Sequence, residues 1–356
     1  MVCLDLCVAS RGYSAWRVVV TLRTPRRLWL RRERERHRDS HMASRVPRVR
    51  VCAITWNMVG RKEDEGTVWW PESLQQLTFG WGFNETVAQV VWPEGLQELA
   101  FGRQFDQAVE NVAWPPSLRR LAFGQYFNQP IDKISWSASL QQVSFGDHFD
   151  QPIDGVAWPG TLERLTFGYW FNQPIYDAAW PASLKTLTFG WKFNQPVNSV
   201  LWPTTSAMQE LTFVRLTFLG TFDQAIDGVR WPGSLEHIAF GWKFNKPIDD
   251  IPWPASLRTL IFGAYFDQPI DCVQWPGQLE RLTMGKKFNR AIEAVSWPSS
   301  LRELTLGKHF NQPIAGVVWP VSLERLTLGK EFSQPIDNVR WPVSLRKLIL
   351  AGNAFD

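Results

Sequence analysis

Tryptophan recurs at a fixed interval along most of this 356-residue chain. Successive copies are 22 residues apart, and the one exception is a step of 29 residues. The copies are Trp70, Trp92, Trp114, Trp136, Trp158, Trp180, Trp202, Trp231, Trp253, Trp275, Trp297, Trp319 and Trp341. A fixed period of roughly 20–29 residues is typical of a solenoid, because each unit cannot bury its apolar face alone and packs against its neighbours. We therefore expect about thirteen stacked coils.

The pattern inside one unit predicts a β coil. In the first unit, residues 77–79 alternate between apolar and polar side chains, which indicates a short strand. Gly80 follows at a bend that a bulkier residue would resist, and in later units a proline such as Pro130 fixes the return leg and excludes a helix there. We expect a right-handed, β-rich solenoid of parallel coils, with equivalent residues ~4.8 Å apart along the axis.

Asparagine or aspartate follows the second phenylalanine of nearly every unit. We expect the asparagines to form an internal ladder whose amides satisfy backbone groups at a buried turn. The aspartate side chain has the same acceptor but lacks the donors of the amide. In units that carry aspartate, the hydrogen bonds of the backbone groups at the turn should therefore be less well satisfied. The asparagines are Asn84, Asn128, Asn172, Asn194, Asn245, Asn289 and Asn311, and the aspartates are Asp106, Asp150, Asp223 and Asp267.

The one irregular step lies between Trp202 and Trp231, where seven extra residues fall near 204–220. The strand pattern occurs twice there, at 211–213 and at 216–218, and the second copy has the usual spacing to Phe222. We interpret the insertion as a bulged loop or as an offset between two stacks of coils, and not as a domain break. A tolerated slip during repeat expansion is the simplest account of its origin.

Charge divides the chain into an arm, residues 1–60, and the repeat array, residues 61–356. The arm has 13 arginines, no lysine and four acidic residues, whereas the array has 25 basic and 30 acidic residues and a net charge of −5. Nucleic-acid binding by the array is therefore not implied. We expect the arm to be disordered. Its arginine run at 31–38 suits nucleic-acid binding or nuclear import, and equally a solvated tail or sequence upstream of a start at Met42 or Met58. The arginine-rich, acid-poor first 32 residues weakly resemble an organelle transit peptide.

Cysteine use and hydropathy favour an intracellular, cytoplasmic location. Three of the four cysteines lie in the arm, at Cys3, Cys7 and Cys52, and a disulfide-stapled array would need many more. The fourth, Cys272, reads as a small filler on a return leg. No apolar run approaches the ~18–20 residues that span a bilayer, so we expect no membrane association.

The runs FGQYFNQPI at 123–131 and FGWKFNQPV at 189–197 resemble the FNIP repeat, a 22-residue motif related to leucine-rich repeats. The resemblance covers residues 70–356 and implies a leucine-rich-repeat-like parallel solenoid. Some members join the array to an F-box, which implies substrate recruitment to a ubiquitin ligase. Residues 1–60 lack the Leu-Pro-led helical signature of an F-box, and the Trp-Pro pair of nearly every unit departs from the common Leu-Pro. The family has no shared catalytic residues.

The array holds few residues that suggest chemistry. His148, His237 and His309 have no cysteine or carboxylate at ligand spacing, so a metal site is not expected. The recurring aspartates could line up as a calcium ladder, but calcium-binding repeats use glycine-rich nonapeptides, which this chain lacks. They are Asp132, Asp154, Asp227, Asp249, Asp271 and Asp337. We expect no catalytic residue, no metal and no cofactor, and therefore no enzyme.

The two positions after the strand glycine vary most between units. They hold aromatic residues in the first two-thirds of the array and lysines towards its end, namely Trp81, Tyr126, Tyr169, Trp170, Trp191, Trp242, Tyr265, Lys286, Lys287, Lys308 and Lys330. Large aromatics dominate interface energetics, so we interpret these residues as a partner-binding surface. The alternative is that the rings pack on each other and cover the bend. A binding surface requires these tryptophans to be exposed, whereas register tryptophans such as Trp92 and Trp158 should be buried.

These features favour a non-enzymatic protein–protein interaction scaffold that binds a protein partner of unknown identity. The alternatives are a structural or adhesive array without a specific partner and, by family analogy, a substrate-recruiting subunit of a ubiquitin ligase. Nucleic-acid binding is not expected, except through the arginine-rich arm. The sequence does not indicate the oligomeric state or the pathway.

Overall fold

A computed structural model describes residues 70–71, 73–202 and 215–350, and in these residues thirteen three-residue strands form one parallel sheet. The strands pair in chain order. They are β1 (Gln76–Thr78), β2 (Glu98–Ala100), β3 (Arg120–Ala122), β4 (Gln142–Ser144), β5 (Arg164–Thr166), β6 (Thr186–Thr188), β7 (Arg215–Thr217), β8 (His237–Ala239), β9 (Thr259–Ile261), β10 (Arg281–Thr283), β11 (Glu303–Thr305), β12 (Arg325–Thr327) and β13 (Lys347–Ile349). The predicted β-rich solenoid of 22-residue parallel coils is confirmed. The arm lies outside the described residues.

Register in the sheet follows directly from the 22-residue period. Strands pair with residues 22 positions away, as in Leu77 with Leu99 and Leu282 with Leu304, except that β6 and β7 pair across 29 positions. The middle residue of nearly every described strand points inward and is buried, while its two neighbours face outward. Equivalent side chains therefore stack in columns, and each column repeats one packing solution. The described residues include no helix long and apolar enough to cross a membrane.

Two phenylalanine columns form the centre of the core. The second phenylalanine of each unit is fully buried from Phe83 to Phe310, and the ring centroid of Phe171 lies 6.1 Å from those of Phe149 and Phe193 in the adjacent coils. Within the coil it also stacks on Phe167, which follows β5, at 4.0 Å. In the first nine coils the second ring therefore has an aromatic neighbour in its own coil and in adjacent coils, which fixes the spacing of the stack. In the next three coils Met284, Leu306 and Leu328 replace the first phenylalanine.

The register tryptophans form a third column on the other leg of the coil. Trp92 and Trp158 are buried, as predicted, whereas Trp136 and Trp180 are half-buried. Neighbouring tryptophan rings stack at centroid distances such as 5.6 Å between Trp136 and Trp158. Trp158 also meets the ring of Phe145 edge-on at 6.4 Å, which joins the tryptophan column to the phenylalanine core.

The strand glycines are required by contact between coils. A β carbon on Gly168 would lie 1.8 Å from the carbonyl oxygen of Gly146, and Gly190 would meet Gly168 in the same way at 1.6 Å. The seventh coil differs, because Leu219 takes the glycine position and Gly220 after it adopts a left-handed backbone with φ of 54°. Glycine therefore permits the coils to approach closely, in addition to forming the bend.

The asparagine and aspartate column forms a continuous ladder, but it uses only the side-chain oxygen. Asn128 N–H donates to Asp106 Oδ1 at 2.8 Å, Asp150 N–H to Asn128 Oδ1 at 2.9 Å, and Asn172 N–H to Asp150 Oδ1 at 2.8 Å. Aspartate and asparagine serve this role equally, so the prediction that aspartate coils are less well satisfied is wrong. The ladder is half-buried or exposed rather than internal. No two aspartates of the column lie in adjacent coils, which avoids repulsion between neighbouring carboxylates.

The sheet continues across the irregular step. Strand β6 pairs directly with β7, and Leu187 lies opposite Leu216. The second copy of the strand pattern therefore supplies the strand, without a shift in register. The first copy, at 211–213, and the rest of the insertion up to 214 lie outside the described residues.

Candidate functional site

The two residues between the strand glycine and the second phenylalanine of each coil form a continuous line, which we call the post-glycine edge. The second of these residues donates its backbone N–H to the carbonyl of the first residue in the preceding coil. Examples are Lys192 to Tyr169 at 2.8 Å and Tyr265 to Trp242 at 2.9 Å. The backbone thus positions these side chains side by side along the solenoid.

Aromatic side chains of this edge are exposed, in contrast with the core columns. Trp81 is 64% exposed, and Tyr169, Trp170, Trp191, Trp242 and Tyr265 are between 38% and 47% exposed. Tyr126 is half-buried. The prediction that the edge tryptophans are exposed while Trp92 and Trp158 are buried is therefore confirmed.

The exposed rings also contact each other from the fifth coil to the ninth. Tyr169 and Trp191 stack at 6.1 Å, and Trp242 lies 6.3 Å from both Trp191 and Tyr265. Trp191 and Trp242 belong to coils that are not adjacent, and they meet because Gly220 lies between them without a side chain. Mutual packing of the rings is thus present, as the alternative interpretation supposed, yet it leaves each ring at least 38% exposed.

Basic side chains rest on several of these rings. Arg103 lies over Trp81 at 4.5 Å and over Tyr126 at 5.3 Å. Arg103 was not predicted as part of this surface, and neither was Lys192, whose Nζ is 5.1 Å from the Trp170 ring. Both occupy the same repeat positions as the aromatics, which is the signal that could have identified them. Each such contact contributes about 0.5–1 kcal/mol at an exposed site.

The predicted lysines continue the edge beyond the aromatics. Lys286 Nζ lies 5.7 Å from the Trp242 ring and Lys287 Nζ lies 3.9 Å from the Tyr265 ring. Lys308 and Lys330 occupy the first position of the next two coils, where Lys308 is half-buried and Lys330 is exposed. The structure therefore brings Lys286 and Lys287 against the aromatic rings and places Lys308 and Lys330 further along the same line.

Basic residues on the sheet face have a different environment. Arg258 pairs with Glu280 at 2.6 Å and Arg302 pairs with Glu324 at 2.5 Å, each across one coil boundary. These ladders of opposite charge run from coil to coil, across the strands, and contribute less than ~1 kcal/mol per exposed pair. In the described part of the chain, Lys286 and Lys287 make no such ion pair.

Groups suited to catalysis are scarce in the described ranges. Cys272 is exposed at a turn, so its interpretation as a small filler is wrong. Asp271, directly before it, raises the pKa of the Cys272 thiol, so less of this thiol is thiolate at neutral pH and its nucleophilicity is low. The described residues contain no cluster of three His, Cys, Asp or Glu side chains placed to hold a metal ion.

A single parallel sheet of short strands, joined by extended legs in 22-residue coils, defines a leucine-rich-repeat-like solenoid. The FNIP Repeat family model matches residues 127–170, 222–265, 266–309, 288–331 and 310–353. The chain is therefore an FNIP-repeat protein. Solenoids of this class commonly serve as protein–protein interaction scaffolds and are typically non-enzymatic.

CroV588, described as "a novel circular LRR protein structure", is among the solved structures to which this chain is similar. It is 36% identical with a TM-score of 0.59, and the match covers 80% of this chain and 47% of that one, so this chain spans about half the length of CroV588. An internalin (inlF) from Listeria monocytogenes is 13% identical with a TM-score of 0.49, and covers 79% of this chain and 88% of its own. YopM from Yersinia enterocolitica is 15% identical with a TM-score of 0.36, and covers 73% and 65%. No curated protein sequence matches the chain.

Proposed function

We propose that this chain is a non-enzymatic scaffold that binds a protein partner along its post-glycine edge. The observation that carries the proposal is the row of aromatic rings that are exposed although the same coils bury every second-position phenylalanine from Phe83 to Phe310. Exposed rings in a row favour aggregation unless something covers them. Large, rigid aromatic side chains on a fixed backbone bind with little loss of conformational entropy.

A structural or adhesive array without a specific partner is the second candidate. Such an array would repeat one surface in every coil. The post-glycine edge instead changes along the solenoid, from Arg103 between two rings, through the Tyr169–Trp191 stack, to Lys286 and Lys287. Because this surface differs from coil to coil, a partner that recognises one set of side chains is expected to bind at one position and not at several positions along the array.

Affinity capture with the full-length chain tests the proposal. The edge variant carries Tyr169→Ala, Trp170→Ala and Trp242→Ala, and the control variant carries Val91→Ala, Val318→Ala and Val321→Ala, whose side chains are 72–78% exposed outside the edge. We expect the wild type and the control to capture the same protein with saturable binding, and the edge variant to lose at least about 90% of it, because each lost aromatic anchor costs roughly 1–2 kcal/mol.

The melting temperatures of the edge variant and the control variant are compared to check that both are folded, and we expect them to be equal. Capture of the same partner by the edge variant, or its loss from the control variant to the same extent, would contradict a binding role for the edge.

A further inference from the structure

The post-glycine edge contains an apolar recess between the sixth and tenth coils. The first edge position alternates there between large and small residues, in the order Trp191, Gly220, Trp242, Ala264 and Lys286. The ring of Trp191 covers Gly220, because a β carbon at Gly220 would lie 2.4 Å from Trp191 Cγ. The small Ala264 leaves the next position open. The result is a recess of about 370 Å³.

Apolar side chains line most of this recess. Trp242 and Ile261 form its exposed walls, Ala264 and Met284 lie below, and Lys286 stands at its far rim. Ile261 is the outward residue of β9, where most other described strands carry threonine, alanine or serine. The recess thus joins the post-glycine edge to the sheet face and has room for one apolar side chain of a partner.

Two ammonium groups next to the recess have no carboxylate partner among the described residues. Lys286 and Lys287 instead rest against Trp242 and Tyr265. In contrast, the nearby Arg258 is paired with Glu280. A ring face compensates an ammonium group only in part, which leaves both lysines able to attract an anion.

Neighbouring coils next to the recess are hydrogen-bonded at the edge itself. Lys287 N–H donates to the Ala264 carbonyl at 2.8 Å, and His309 N–H donates to the Lys286 carbonyl at 3.0 Å. Coils joined in this way lie ~4.8 Å apart, whereas alternate side chains of an extended chain lie about 6.6–6.8 Å apart. The long, flexible lysine side chains can accommodate this difference over the recess and the next two coils.

We propose that this part of the edge binds an extended acidic segment of the partner protein. One apolar side chain enters the recess over Ala264, and acidic side chains at the following alternate positions contact Lys286, Lys287 and then Lys308. The array around the site has a net charge of −5, so an acidic segment is drawn to the lysine end and repelled elsewhere. This inference rests on the proposed function and specifies the chemistry of the partner.

A single-stranded nucleic acid is the competing occupant, since it also binds aromatic rings and basic groups. It carries a charge on every nucleotide along its length. The net negative array opposes such a polyanion, whereas a short acidic peptide needs only the lysine end. The recess is also lined by apolar walls that suit an aliphatic or aromatic side chain.

Selection from a phage-displayed random twelve-residue peptide library against the full-length chain tests the proposal. We expect a consensus with one apolar residue followed by Asp or Glu at alternate positions. A synthetic consensus peptide should bind the Lys286→Glu/Lys287→Glu variant about tenfold or more weakly. The control variant Arg230→Glu/Arg340→Glu has the same change in net charge at exposed positions outside the edge, and should bind the peptide as the wild type does.

Three outcomes overturn the proposal: a consensus without acidic residues, an affinity unchanged by reversal of the two lysines, or tighter binding of a twelve-nucleotide oligouridine at these lysines. A non-acidic consensus peptide that still loses binding in the Tyr169→Ala/Trp170→Ala/Trp242→Ala variant would leave the proposed function standing while this inference fails. Peptide binding unaffected by either variant would contradict both.

Discussion

Gly168→Ala is expected to destabilise the array by roughly 3 kcal/mol or more, because the added β carbon has no space. It would lie 1.8 Å from the carbonyl oxygen of Gly146, 2.4 Å from the carbonyl carbon of Gly146 and 2.8 Å from Asp147 Cα. All three are backbone atoms of the preceding coil, so no side chain can move aside. The coils must separate, which disrupts the pairing of β4 with β5. Thermal melting followed by circular dichroism measures the loss.

Gly160→Ala is the matched control. It lies in the same coil, eight residues before Gly168, and a β carbon there would meet nothing within 4 Å. Neither glycine has a left-handed backbone, so an alanine is not strained by a positive φ at either position. We expect the melting temperature of the control to be unchanged or slightly raised. An equal loss of melting temperature in the two variants would show that the close approach of the coils at Gly168 is not the cause of the destabilisation.

Phe171→Ala is expected to cost roughly 3–5 kcal/mol, whereas Trp170→Ala should cost less than about 1 kcal/mol. Phe171 is fully buried and stacks on rings in its own coil and in both adjacent coils. Trp170 is 47% exposed and contacts Tyr169, His148 and Lys192, which belong to the same edge. Two adjacent residues of similar chemistry therefore differ several-fold in their expected contribution to stability.

Chemical denaturation of both variants, followed by tryptophan fluorescence and circular dichroism, measures this difference. A repeat array can unfold in parts, so the two signals are compared for coincidence before a free energy is derived. If Trp170→Ala destabilises the array as strongly as Phe171→Ala, the edge belongs to the core and its rings are not available to a partner.

Much of the fold was predictable because one period determines it. The 22-residue repeat placed every described strand, its pairing partner and the buried second phenylalanine in the correct column. The errors concern which atoms of a side chain are used and whether a position is buried or exposed. Asp150 serves as well as an asparagine because the ladder needs only an oxygen acceptor. Cys272 is exposed because its position belongs to a turn, which a repeat consensus does not distinguish from a return leg.

The candidate site was predictable in composition and less so in shape. Exposure of Trp170 and Trp242 follows from their position outside the repeating core pattern. The recess depends instead on Gly220 and Ala264, two small residues that carry no signal of their own in the sequence. Their effect depends on the side chains that pack over or beside them, and the sequence alone does not show these contacts. Arg103 was not predicted as part of the site because only aromatic residues and lysines were expected to contact a partner from its position.

Site-specific photo-crosslinking tests most directly the claim that the post-glycine edge is the docking surface. A photoreactive p-benzoyl-phenylalanine is introduced at position 170 in one full-length variant, at position 242 in a second, and at position 318 as the control, where Val318 is 78% exposed outside the edge. We predict that positions 170 and 242 crosslink to one and the same protein and that position 318 does not. Crosslinking of that protein from position 318 but from neither edge position would contradict the account.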